Sequence, residues 1–126
     1  MDDKKLLGRR GEELASKFLQ KQGYRIIERN FQRRYGEIDI VAIDPSPDSG
    51  EVTLVFVEVK TRCVGDFVSP EESVTPWKLR VLKRSAQYYK MLHPEFPELL
   101  RIDFVGVEFG FEGKLENIKL IKNIAE

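Results

Sequence analysis

Residues 54–60 read Leu-Val-Phe-Val-Glu-Val-Lys, and no other stretch constrains the fold as tightly. Side chains of a strand alternate between its two faces, so a run that is apolar at both parities belongs inside a sheet covered on both sides. The pattern predicts a strand over Val52–Thr61. Glu58 and Lys60 have the same parity and therefore point to the same side. Charges that close a buried strand are costly unless they are paired or bound to something. Either the strand emerges into water there, with a Glu–Lys pair at its mouth, or the two residues belong to a site.

The flanking sequence places this strand in an α/β order. A helix is predicted from about Lys4 to Gln22, capped at Asp2 or Asp3 and ended by Gly23. At about 100° per residue, Leu7, Gly11, Leu14, Ala15, Phe18 and Leu19 form its apolar stripe. Tyr24–Phe31 and Glu37–Ile43 read as strands separated by an Arg-rich turn closed by Gly36. Asp44–Gly50 is a loop by its Pro, Asp, Ser and Gly content. After an irregular stretch over 62–74, Thr75-Pro76 gives an N-cap followed by Pro at the first helical position. This second helix runs to about Leu92, with Val81, Leu82, Ser85, Ala86, Tyr89 and Leu92 on its packing stripe. Strands over Leu100–Phe109 and Leu115–Ile124 complete the order αβββαββ. Short links make the first three strands hairpin neighbours, and the second helix supplies a crossover. One domain over 1–126, with a mixed sheet flanked by helices, is the expected architecture.

Composition excludes several classes. With 41% hydrophobic and 33% charged residues, the chain is too apolar for disorder. No apolar run approaches the roughly 18 residues that span a bilayer. The N-terminus has no apolar segment of the secretory type. Cys63 is the only cysteine, which fits a reducing, cytoplasmic setting and leaves this thiol an inert role. His93 is the only histidine and precedes Pro94, where it offsets a helix dipole or lies at the surface. Any metal site must therefore rest on carboxylates. The net charge is zero, yet residues 1–40 carry ten basic and seven acidic side chains, and residues 58–90 carry seven and four. That segregation allows a basic face on a neutral whole, and equally an ordinary solvated surface.

Asp39 lies in the strand next to Val52–Thr61. Carboxylates on neighbouring strands can together hold Mg²⁺ or Mn²⁺, which prefer oxygen ligands. A lysine beside such an ion can orient a water or stabilise charge on a phosphoryl group. Asp39, Glu58 and Lys60 thus suit metal-assisted phosphodiester hydrolysis. On the first helix, Glu12 falls at the border of the packing face and Glu13 points to solvent. Glu12 either leans over the sheet towards the metal or pairs with Arg9 one turn earlier. Lys78 aligns with Leu82, Ser85 and Tyr89, so its stem packs while its ammonium reaches the sheet edge, free to bind phosphate or to snorkel. Arg9, Arg10, Arg33, Arg34 and Arg62 are candidate phosphate contacts. Trp77 and Tyr88 are candidates for stacking on bases, while Tyr89 belongs to the core.

In order along the chain stand Gly8-x-x-Gly11-Glu12-x-x-Ala15-x-x-x-Leu19, Gly23-Tyr24, Asn30, Gly36-Glu37-Ile38-Asp39, Phe56-Val57-Glu58-Val59-Lys60-x-Arg62 and Lys78. Together they resemble the YraN family, a bacterial family of largely uncharacterised proteins. That family is similar to archaeal Holliday-junction resolvases within the PD-D/E-x-K nuclease superfamily. The resemblance implies a restriction-endonuclease-like αβββαββ fold and a Mg²⁺- or Mn²⁺-dependent endonuclease acting on nucleic acid, DNA in the resolvases. By position it makes Asp39 the motif aspartate, Glu58 and Lys60 the E-x-K pair, and Glu12 the first-helix acid. Asp39, Glu58 and Glu12 would hold the metal, and Arg9, Arg33, Arg34, Arg62 and Lys78 would meet nucleic acid. Ile38 stands where the superfamily pattern has Pro, and the chain is neutral where junction resolvases tend to be basic. Two other readings stay open, a nucleic-acid-binding module of nuclease fold without turnover and a structural protein with a buried ion network. A homodimer is also left open, and a membrane partner is not expected.

Overall fold

The computed structural model describes residues 2–34, 36–45, 50–65 and 69–125. The elements are α1 (Asp2–Lys21), β1 (Arg25–Arg33), β2 (Gly36–Asp44), β3 (Thr53–Cys63), α2 (Pro76–Leu92), β4 (Leu99–Phe109) and β5 (Leu115–Ile121). A short 3₁₀ turn over Pro70–Ser73 interrupts the stretch read as irregular. The centre of the Asp44–Gly50 loop lies outside the described residues.

The five strands form one sheet in the order β1-β2-β3-β4-β5, antiparallel except for the β3–β4 pair. α2 is the crossover that makes β3 and β4 parallel. β3 is central, and its Leu54, Val55, Phe56 and Val57 are fully buried. Val55, Val57 and Val59 pack with Ala15 and Leu19 of α1. Leu54 and Phe56 pack with Leu82, Ala86 and Tyr89 of α2. The helices therefore cover opposite faces, as a strand apolar on both parities requires. The chain is α/β with the expected αβββαββ order. Among the described residues, no helix is long and apolar enough to cross a membrane.

The packing face of α1 is rotated from the one expected. Its fully or nearly buried residues are Gly11, Ala15, Ser16 and Leu19, whereas Leu7, Leu14 and Phe18 are only half-buried. Small side chains let the helix axis approach the sheet, and the large apolar ones flank the contact instead of centring it. This rotation moves Glu12 from the border of the packing face to within it.

At the end of the sheet where β2 finishes and β3 begins, the α1 face carries a satisfied ion network. Asp103 is fully buried and accepts from the Tyr24 hydroxyl at 2.7 Å, from Arg101 Nε at 2.8 Å and from the Asn123 amide at 3.0 Å. Arg101 also reaches Asp44 at 2.9 Å. Each charge here has an opposite partner, which is the condition for burying it.

Candidate metal centre

The β2–β3 ladder stops at Ile40 opposite Val57, and continuing its register sets Asp39 across from Glu58. Asp39 has the parity of Val41 and Glu58 that of Phe56, and these two pack in the α2-side core. Both carboxylates thus share the parity of the α2 side, whereas the Arg101 network lies on the α1 side; where the ladder opens, Glu12 of α1 meets Asp39. Where the ladder ends, Asp39 Oδ2 accepts the Val59 amide at 2.8 Å and so takes over a backbone donor of β3. Glu58 is only 8% exposed. Lys60 lies two residues on with the same parity, near enough for its charge to act on Glu58.

Glu12 arrives from α1 through a close helix–strand contact. A Cβ placed on Gly11 would lie 2.1 Å from Thr61 Oγ1, so only glycine lets α1 sit this near β3. Thr61 is β-branched and short, and cannot swing aside without cost. Gly11→Ala should therefore push the helix off the strand and cost about 1–3 kcal/mol of stability, the usual range for overpacking. Adding Thr61→Ala should recover most of that loss. Thermal melts of both variants decide; an unchanged melting temperature for Gly11→Ala would disprove the close contact.

One oxygen each from Glu12, Glu37 and Asp39 lies within 4.8 Å of the others. Oxygens around an octahedral Mg²⁺ at about 2.1 Å are separated by about 3 Å when adjacent and about 4.2 Å when opposite, so this spacing needs only small closure. The donors are hard carboxylate oxygens, which suit Mg²⁺ or Mn²⁺. Glu37 was not among the residues expected from sequence. It sits two positions before Asp39 in β2, and that i, i+2 relation was the available signal. Its side chain also accepts from Gln32. The tightest group has Glu37 where Glu58 was expected. Glu58 lies across from Asp39 in the continued register, close enough for the two charges to act on each other.

Crowding and burial leave these acids short of positive charge. Burial first, then the Glu58 charge, pushes Asp39 up to about 9, with the Val59 amide acting against them. Glu58 is raised by burial, while Lys78, Asp39 and Lys60 pull it down. Glu12 is raised by burial and then by Glu37, against Arg29 and Asn30. Arg9 is exposed and is not the partner of Glu12; Arg29 and Asn30 are the groups that favour its ionised form. Asn30 takes φ 56°, which asparagine tolerates better than most residues. It lies across from Asp39, between the Arg29–Ile40 and Phe31–Ile38 pairs. Glu13 is exposed as expected and pairs with Arg29 at 2.8 Å.

The candidate phosphate contacts divide. Lys78 Nζ lies 3.4 Å from Glu58 Oε2, so its ammonium does reach the sheet edge and meets the site there. Arg62 is half-buried and donates to the Thr61 carbonyl at 3.1 Å. Arg33 lies over the Tyr88 ring at 3.8 Å. Arg9 and Arg34 are exposed. Tyr89 is buried, bonds Glu28 through its hydroxyl at 2.9 Å, and packs its ring 4.3 Å from that of His93, the residue that caps α2.

A family model described as "Uncharacterised protein family UPF0102" matches residues 11–107. The chain belongs to this family. It is the YraN family of the sequence resemblance, and the match runs from the Gly11 contact into β4. UPF0102 proteins similar to the chain include one from Desulforamulus reducens, 43% identical over 121 residues, which are 95% of each chain. One from Syntrophomonas wolfei is 46% identical over 101 residues, 80% of this chain and 83% of its own. One from Caldicellulosiruptor saccharolyticus is 41% identical over 121 residues, 96% of this chain and 98% of its own.

Proposed function

We propose that the chain is a Mg²⁺- or Mn²⁺-dependent endonuclease acting on nucleic acid, with DNA favoured by the similarity of its motifs to those of junction resolvases. The observation that carries this reading is the convergence of Glu12, Glu37, Asp39 and Glu58 at one end of the sheet with Lys60 and Lys78 beside them. A buried cluster with more carboxylates than cations is unfavourable by itself and becomes favourable when a cation binds. Where the same chain buries Asp103 and Asp44 around the single cation Arg101, Asp103 also accepts from the Tyr24 hydroxyl and the Asn123 amide, so neutral donors complete that network. The carboxylates around Asp39 instead crowd one another within 4.8 Å, which favours a bound cation over a purely structural network.

Glu12, Glu37 and Asp39 would hold the ion, with Glu58 adjoining them. A divalent cation there supplies charge neutralisation at a phosphoryl oxygen and acidifies a coordinated water. Lys60 places an ammonium on the same face, where it stabilises charge that develops on the phosphate. Lys78 offers a second cation at the rim.

Branched, single-stranded and duplex oligonucleotides incubated with the protein in Mn²⁺, Mg²⁺ or EDTA test the proposal. Cleavage within the strands is expected with either metal and none in EDTA. A protein that Mn²⁺ stabilises but that cuts no substrate would be a binding module without turnover. Neither cleavage nor stabilisation by metal would overturn the reading.

A further inference from the structure

α2 carries Lys78, Arg80, Lys83, Arg84 and Lys90 and not one Asp or Glu, in a chain whose net charge is zero. At about 100° per residue, Trp77, Arg80, Arg84, Tyr88 and Met91 fall within an arc of about 80°, opposite the buried Leu82, Ala86 and Tyr89. This outer stripe keeps large apolar surface in water: Trp77 is 66% exposed, Tyr88 36% and Met91 75%. Arginines stand over both aromatic rings. Arg80 lies 5.6 Å from the centre of Trp77, and Arg33, from the end of β1, lies 3.8 Å from that of Tyr88. Gly36 brings the β1–β2 end against α2, where a Cβ would lie 2.6 Å from Val81. Trp77 directly precedes Lys78, whose ammonium meets Glu58, so the stripe starts at the candidate metal centre.

We propose that this face of α2 is a track for single-stranded nucleic acid, on which unpaired bases stack at Trp77 and Tyr88 while Arg80, Arg84 and Arg33 meet the phosphates. A cationic helix alone would suit any polyanion. The flat rings decide between strand types, because a base offers its face for stacking only when it is unpaired. The substrate class is then nucleic acid with unpaired nucleotides beside the cleaved phosphate. That last step rests on the nuclease reading; the binding track itself does not.

The test is fluorescence anisotropy in EDTA, where no cleavage occurs, with a labelled 20-nucleotide oligothymidylate and a blunt 20-base-pair duplex as probes. The single strand is expected to bind about tenfold tighter than the duplex. Trp77→Ala and Tyr88→Ala should each weaken single-strand binding about 5- to 50-fold, the range for losing one stacked base, and leave the duplex nearly unchanged. Arg80→Ala with Arg84→Ala should weaken both probes and lower the salt slope by about one to two. Trp77 is the only tryptophan, so quenching of its fluorescence by the single strand reports stacking without any substitution. Equal affinity for the two probes, aromatic variants that bind like wild type, or an unquenched Trp77 would overturn the proposal. Mn²⁺ melts separate the two readings. A protein that Mn²⁺ stabilises but that fails these binding tests loses only the track. One that holds single strands but neither responds to metal nor cuts loses only the nuclease centre.

Discussion

Lys60→Ala is expected to keep the Mn²⁺-dependent rise in melting temperature and to lose about 10²- to 10³-fold in cleavage rate, the usual cost of removing one group that stabilises charge in a transition state. Asp39→Ala and Glu58→Ala should behave differently. Asp39 belongs to the close carboxylate group with Glu12 and Glu37 and feels the Glu58 charge, so removing it should abolish both cleavage and stabilisation by metal. For wild type, a hundredfold excess of Mn²⁺ over its Kd contributes about 2.7 kcal/mol. That corresponds to roughly 10 °C for a domain of this size. Without metal, neither carboxylate variant should unfold, because each removes an acid whose ionised form burial disfavours. The ion-network reading predicts the reverse, since stranding one partner of a buried pair costs about 3–5 kcal/mol. Arg101 is the internal standard: Arg101→Met leaves Asp103 and Asp44 buried without their cation and should show that large cost. Melts with and without Mn²⁺, beside cleavage rates, decide. If Asp39→Ala is destabilised as severely as Arg101→Met and wild type ignores Mn²⁺, the metal centre does not exist.

The parts of the fold that were legible in the sequence are those governed by short-range periodicity. The doubly apolar run at 54–57 can only be a covered strand, and it is. Thr75-Pro76 announces the start of α2, and the Thr75 hydroxyl does accept the Lys78 amide at 3.1 Å. Lys78 was placed correctly at the sheet edge because a lysine on a packing stripe must carry its charge to a rim. The expected α1 stripe holds Gly11, Ala15 and Leu19, which do face the sheet. It leaves out the buried Ser16 and centres on Leu7, Leu14 and Phe18, which flank the contact, because periodicity weighs large apolar residues most while close packing is made by small ones. Glu37 went unassigned because its neighbours in space, Glu12 and Gln32, come from α1 and β1. The Tyr24–Asp103 contact joins residues 79 positions apart and depends on which strands adjoin, so no local pattern announces it. β1 and β3 each run two residues past their expected ends, where cross-strand pairing overrides local preference.

The stability of the metal-free protein should fall as pH rises from about 4 towards 9, and Asp39 should cause part of that fall. In the unfolded chain an aspartate titrates near 4. In the folded protein, burial and the Glu58 charge hold Asp39 up to about 9. Between these values the native state keeps a proton that the unfolded state has lost. Stability then decreases with pH, by up to about 1.4 kcal/mol per unit for one proton. Below about 4 both states are protonated and the favourable contribution is whole; it is gone once the pH passes the folded value. Asp39→Asn imitates the protonated form and carries no such slope, so its melting temperature should draw ahead of wild type steadily from pH 5 to 8. The same proton competes with metal, because Asp39 must release it to coordinate. Mn²⁺ affinity of wild type should therefore rise up to about tenfold per pH unit over this range. Calorimetry in buffers of different ionisation enthalpy should count about one proton released per ion bound. A parallel pH dependence of wild type and Asp39→Asn, or a Mn²⁺ affinity that is flat from pH 6 to 8, would mean that Asp39 is already ionised in the free protein and that the carboxylates are not competing for a cation.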